Sequence, residues 1–153
     1  MRGYFGVAIW HPRTEGNVGT LWRSAKTYGA HFIATIGRRY EYQSSDTCKT
    51  PLSVPLHHYT DLDDLIEHLP HGCPIVGVEL DDRAVVLEDF QHPLRALYLM
   101  GAEDHGLPEK VLARCHHVVR IDTPAPWSLN VSVAGSMVLH SRHLQSSRRE
   151  VAA

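Results

Sequence analysis

Apolar residues along the chain gather in short runs, separated by segments in which they recur every three or four positions. Five runs rich in branched or aromatic side chains stand out: YFGVAIW (4–10), HFIATIG (31–37), CPIVGVEL (73–80), ALYLMG (96–101) and HVVRI (117–121). Helical spacing occupies 17–29, 60–69, 108–115 and 128–145. Continuous runs of this kind suit strands buried on both faces. Their alternation with helical segments predicts an α/β fold, a mostly parallel sheet flanked by helices on both faces. Ligands of such sheets bind where loops leave the carboxyl ends of the strands. That rule singles out the loops 11–17, 101–107 and 122–128.

Each loop leads into a helix with a readable face. In the first, Asn17 is expected to cap the helix while Val18, Leu21, Trp22 and Ala25 form its buried side and Arg23 lies off it. The second, MGAEDHGLPEK, carries glycines at 101 and 106 that allow close backbone approach, with Pro108 starting the next helix. The third, IDTPAPWSLN, is stiffened by two prolines and precedes SLNVSVAGSMVLH. At about 100° per residue, Ser128, Ser132, Gly135 and Ser136 share one narrow stripe of that helix. Asn130 is expected on the other side, among Val133, Ala134 and Met137. The polar, basic stretch 37–53 reads as a surface loop, and residues 146–153 as a fraying tail after one domain at 1–145.

Composition narrows the class. A chain of 153 residues, 43% of them hydrophobic, makes one ordinary domain. Neither a signal peptide nor a membrane span is visible, so a cytoplasmic protein is expected. Three scattered cysteines and twelve histidines without ligand spacing indicate no disulfide framework and no metal site. The net charge of −2 hides an uneven distribution. Residues 1–50 carry seven Lys or Arg against three acids, 51–113 three against twelve, and 114–153 five against two. If the two basic ends meet, they form a face suited to a polyanion. The glycines at 16 and 19 do not match a dinucleotide fingerprint, which disfavours a nucleotide-binding oxidoreductase.

Three sets of residues fall in the three loops in order: N-x-G-x-x-x-R (Asn17, Gly19, Arg23), G-x-E-x-x-G-L (Gly101, Glu103, Gly106, Leu107) and S-L-N-x-S (Ser128, Leu129, Asn130, Ser132). Together they resemble the three motifs of the SpoU or TrmH branch of the SPOUT methyltransferases, over roughly residues 4–145. The resemblance implies transfer of a methyl group from S-adenosylmethionine to the 2′-hydroxyl of an RNA ribose. It also implies a C-terminal trefoil knot, one of the few exceptions to the rule that chains do not knot. Carried over by position, the cofactor would be held by Val78, Glu79, Gly101, Ile121, Ser128 and Leu129, and the catalytic group would be Asn17, Arg23, Glu103 and Asn130. A guanidinium is a poor base, so Arg23 is read as a clamp for an RNA phosphate and a stabiliser of the developing alkoxide. Asn130 is read either as a direct participant or as a structural cap within the knot. The chain is most similar to the minimal TrmL-like members, homodimers that modify the wobble ribose of tRNA. With no RNA-binding extension expected at either end, Arg38, Arg39 and Lys49 are the candidate RNA contacts. An rRNA target and a non-catalytic RNA-binding dimer are the alternatives.

Overall fold

The structure, a computed structural model, describes residues 3–41 and 53–151. Its elements, in order, are β1 (Tyr4–Trp10), α1 (Glu15–Thr27), β2 (Phe32–Ile36), β3 (Leu56–Tyr59), α2 (Leu62–His68), β4 (Ile75–Val78), β5 (Val85–Val86), β6 (Arg95–Met100), α3 (Glu109–Leu112), β7 (His117–Arg120) and α4 (Val131–Val151). The strands form one seven-stranded sheet in the order β3-β2-β1-β6-β4-β7-β5. Every pairing is parallel, with β1 against β6 in the register Tyr4 to Arg95 through Ile9 to Met100.

Strand alternation splits the core into two layers. Val7, Ile9, Tyr98 and Met100 join Val18, Leu21 and Trp22 of α1 and Val138 and Leu139 of α4 on one face. Ala8, Trp10, Leu97 and Leu99 meet Leu65 of α2 and Val111 and Leu112 of α3 on the other. Because both faces are covered, β1, β2 and β6 read as almost unbroken apolar runs.

Several boundaries differ from those the sequence predicts. Strands β3 and β5 are additional, and they are the two edges of the sheet. Edge strands are only half covered; LHHY is broken by two histidines and VV is two residues long, so neither has the length of apolar run that marks the central strands. Helix α1 begins at Glu15 with Thr14 at its N-cap, which places Asn17 in the first turn and not at the cap. Helix α3 is a single turn with Pro108 at its N-cap, and the helix does not continue beyond Leu112 into the rest of its predicted span. Helix α4 begins at Val131 and runs to Val151, so the segment expected to fray from 146 is helical that far. It is anchored there by Gln145, whose side chain donates to the Phe90 carbonyl and accepts from the His92 amide.

Chain direction sets the location of a site. From β1 the chain crosses through α1 to β2 on one side of the sheet, and from β6 it crosses through α3 to β7 on the other. The loops leaving β1 and β6 therefore diverge, opening a crevice at the carboxyl edge of the sheet.

Candidate active site

A cavity of about 520 Å³ lies in that crevice. Four strand ends contribute to it: Thr14 and Asn17 after β1, Val78 to Leu80 after β4, Met100 to Gly106 after β6, and Ile121 with Trp127 to Val131 after β7. Val78, Met100, Ile121 and Val131 line the floor as buried apolar side chains. Polar groups converge at the mouth.

These polar groups form one hydrogen-bonded chain. The Glu103 carboxylate accepts the Asn17 Nδ2 amide at 2.7 Å, the Thr14 N–H at 3.2 Å and the Arg13 N–H at 3.0 Å. Asn17 Oδ1 in turn accepts Asn130 Nδ2 at 3.0 Å. Asn130 Oδ1 accepts the Ser132 N–H at 2.9 Å and the Ser132 hydroxyl at 2.6 Å. Asn130 thus stands immediately before α4 and caps it, satisfying a donor that every helix start leaves open. This corrects the sequence reading, which set Asn130 inside the helix among Val133, Ala134 and Met137. The bonded pairs Asn17–Glu103 and Asn17–Asn130 are 86 and 113 positions apart in the chain, and each amide has one orientation that fits its neighbours.

The loop between Gly101 and Leu107 is closed at its neck by reciprocal backbone bonds between Ala102 and Gly106, at 3.1 and 2.9 Å. A Cβ on Gly101 would lie 2.7 Å from the Gly106 backbone, and one on Gly106 would lie 2.2 Å from Glu79 Oε2. Gly106 also has φ +62°, a conformation that other residues adopt only under strain. Glu79 fixes this neck, accepting the Leu107 N–H at 2.6 Å and the Leu80 N–H at 3.0 Å.

All six positions expected at the cofactor, Val78, Glu79, Gly101, Ile121, Ser128 and Leu129, line the cavity, as do Asn17, Glu103 and Asn130. Ser128 precedes α4 and does not share the helical stripe of Ser132, Gly135 and Ser136. That stripe packs on α1: Ser136 bonds Ser24 at 2.7 Å, and Gly135 sits against Leu21. Arg23 is exposed on α1 and is not part of the cavity wall. Arg38 and Arg39 are exposed after β2, while Lys49 lies outside the described residues. The sequence reading missed Arg13 and Thr14, whose backbone N–H groups brace Glu103; a main-chain donor carries no residue signature. Among the described residues, no group of three or more His, Cys, Asp or Glu is placed to hold a metal ion. No helix there is long and apolar enough to cross a membrane.

A doubly covered parallel sheet with a preformed cavity at its topological switch defines an α/β protein that binds a small molecule at its strand ends. The chain belongs to the SpoU rRNA Methylase family, whose model matches residues 4–140. It is 25% identical over 147 residues to the 23S rRNA (uridine(2479)-2′-O)-methyltransferase of Streptomyces viridochromogenes, an alignment covering 90% of this chain and 51% of that protein. The chain therefore spans about half the length of that relative. The solved SpoU methyltransferase AviRb from Streptomyces viridochromogenes, in complex with the cofactor AdoMet, superposes with a TM-score of 0.82 at 22% identity, over 97% of this chain and 62% of that one. A structure described as giving insight into 2-OH methylation of C/U34 on tRNA superposes with a TM-score of 0.79 at 24% identity, over 96% and 99% of the two chains. These likenesses establish the fold.

Proposed function

We propose that the protein transfers the methyl group of S-adenosylmethionine to the 2′-hydroxyl of an RNA ribose. The observation that carries this reading is the hydrogen-bonded chain from Glu103 through Asn17 to Asn130, which brings all three motifs to one cavity mouth. The name of the Streptomyces relative and family membership support it.

The cavity suits the cofactor. Its size is in the range of small-molecule sites, and its apolar floor could take an adenine ring. Glu79, Gly101, Ser128 and Leu129 would hold the rest, with Val78 and Ile121 beneath. When bound, S-adenosylmethionine supplies an activated methyl group on a positively charged sulfur. The 2′-oxygen would gain that methyl group as the C–S bond breaks, the neutral thioether would leave, and the hydroxyl proton would pass to solvent. With so good a leaving group, the protein mainly has to align the reactants. Glu103 already accepts three N–H donors and Asn130 is committed at both ends of its amide, so both act as positioning residues and neither as a base.

Arg23 needs a second copy of the chain on this reading, because it stands outside the cavity of its own. Helix α4 exposes Val133, Met137 and Leu144 at a spacing that puts them on one stripe, an apolar surface suited to a homodimer. A partner seated there brings its own exposed α1 arginine near the cavity mouth. The threading of the C-terminal segment as a trefoil knot, a tRNA substrate and a cytoplasmic location belong to the same proposal, with an rRNA substrate as the alternative.

The test is methyl transfer from labelled S-adenosylmethionine to total tRNA and rRNA of cells lacking the gene, followed by mapping of 2′-O-methylated riboses. Label at one tRNA ribose is the expected result, and Asn17→Ala lowers it at least tenfold, or roughly 1.4 kcal/mol of barrier. No label in either pool, with the cofactor bound, would overturn the reading.

A further inference from the structure

On the other side of the 102–106 loop lies a second cleft, of about 550 Å³, with a different character. Arg13, Arg38 and Lys110 line it together with His11 and His105, against the single carboxylate of Asp104. The same loop is a wall of both the cofactor cavity and this cleft.

Two of the three cationic groups are held in place and ion-paired, Arg38 with Glu15 at 3.7 Å and Arg13 with Asp104. Arg38 Nη1 donates to the Arg13 carbonyl at 2.7 Å, fixing one arginine against the backbone of the other. Arg13 pairs with Asp104, which also meets His105 Nε2 at 3.1 Å. Lys110 is exposed on α3 and has no ion pair among the described residues. His11 has φ +45°, and among the described residues it is the one non-glycine in the left-handed region. Its ring rests on Gly37, where a Cβ would come within 2.4 Å, and beside Trp10, with ring centroids 4.7 Å apart. Strain of this kind persists only where surrounding contacts impose it, and it gathers at functional sites. Here it turns an exposed imidazole over the cleft.

We propose that this cleft seats the RNA nucleotide adjacent to the one being methylated. Its phosphate would lie against Arg13, Arg38 and Lys110, and its base against the His11 ring. One wall separates the two sites, so a strand presenting a ribose to the cofactor cavity lays its neighbouring nucleotide across the 102–106 loop. Cations that track a backbone beside a flat ring are the usual equipment for single-stranded RNA. Asp104 occupies Arg13 when no RNA is bound and is displaced by phosphate. The proposal rests on the RNA reading above.

The experiment measures RNA binding by Lys110→Ala and His11→Ala across a salt series, with S-adenosylmethionine affinity measured in parallel. Lys110→Ala is expected to weaken RNA binding by roughly tenfold near physiological salt and to reduce the slope of log K against log salt by about one. His11→Ala is expected to weaken binding with little change in slope, and His11→Phe to restore it. Cofactor affinity stays at the wild-type value in all three. RNA binding and slopes equal to wild type in both alanine variants would overturn the cleft while leaving methyl transfer intact. A wild type that binds RNA through these residues yet transfers no methyl group would sink the proposed activity and leave the cleft standing. A wild type that binds no RNA at any salt overturns both.

Discussion

Both ends of the Asn130 amide are bonded within the protein, one to a helix start and the other to Asn17. A single side chain thus couples the beginning of α4 to the first turn of α1. The same logic holds at the opposite end of the molecule, around His92. Tyr98 is buried, its pKa pushed up to about 12 mainly by burial, and its hydroxyl oxygen accepts Arg142 Nη1 at 3.1 Å. Its own proton is then directed to His92 Nδ1, 2.7 Å away, leaving His92 Nε2–H to face Ser141 at 3.1 Å. A neutral imidazole satisfies this network, and a protonated one does not. Burial first, then the charges of Arg142 and Arg149, draws the His92 pKa down to about 4. An unfolded histidine titrates near 6.5, so between about 4 and 6.5 the unfolded chain binds more protons. Stability from this group is complete above pH 6.5 and is lost as pH falls toward 4, by roughly 3 kcal/mol in all. Urea unfolding at pH 7.5, 5.5 and 4.5 should show that loss, and His92→Gln, less stable at neutral pH, should show a flatter dependence.

At the scale of elements, the loop 101–107 and the contact between α1 and α4 both depend on the absence of side chains. Gly106→Ala places a methyl group against the Glu79 carboxylate in a left-handed conformation. The neck must open, and with it the cavity wall. Cofactor affinity by calorimetry should fall at least tenfold, with a stability loss of about 1–2 kcal/mol in urea. An unchanged affinity would show that the neck does not shape the site. The small-residue stripe on α4 was legible in the sequence, since Ser132, Gly135 and Ser136 follow from helical periodicity alone. The error over Ser128 and Asn130 has a local cause. SLN fits the helical spacing of the segment that follows, and only the folded chain shows Asn130 Oδ1 accepting the Ser132 N–H as the cap while its Nδ2 donates to Asn17.

For the whole molecule, the position of Arg23 is the decisive fact. It belongs by spacing to the first motif, yet it is exposed and outside the cavity of its own chain. If a second copy docks on the α4 stripe, Arg23→Ala and Asn17→Ala damage different halves of a composite site. Each variant alone should be nearly inactive, and mixed dimers of the two should regain activity. Met137→Glu should separate the dimer by burying a charge in an apolar contact, which sedimentation would read directly. Activity lost without recovery on mixing would place Arg23 in its own subunit's reaction, or in none.

The sequence by itself determined the parallel α/β class, the central strands, the buried face of α1 and the three loops that carry the site. Each of these is periodic or local, and burial on both faces of a sheet writes itself into a continuous apolar run. The tertiary structure alone decided the edge strands β3 and β5, whose half-covered positions leave little pattern, and the true start of α4. It also decided which polar groups meet. Glu103 is braced by two backbone amides and Asn17, and Asn17 reaches Asn130, contacts that no spacing rule encodes because they join distant loops. The basic cleft around His11 is of the same kind: residues from three strand ends share it, and their sign adds up only once the sheet has brought them to one edge.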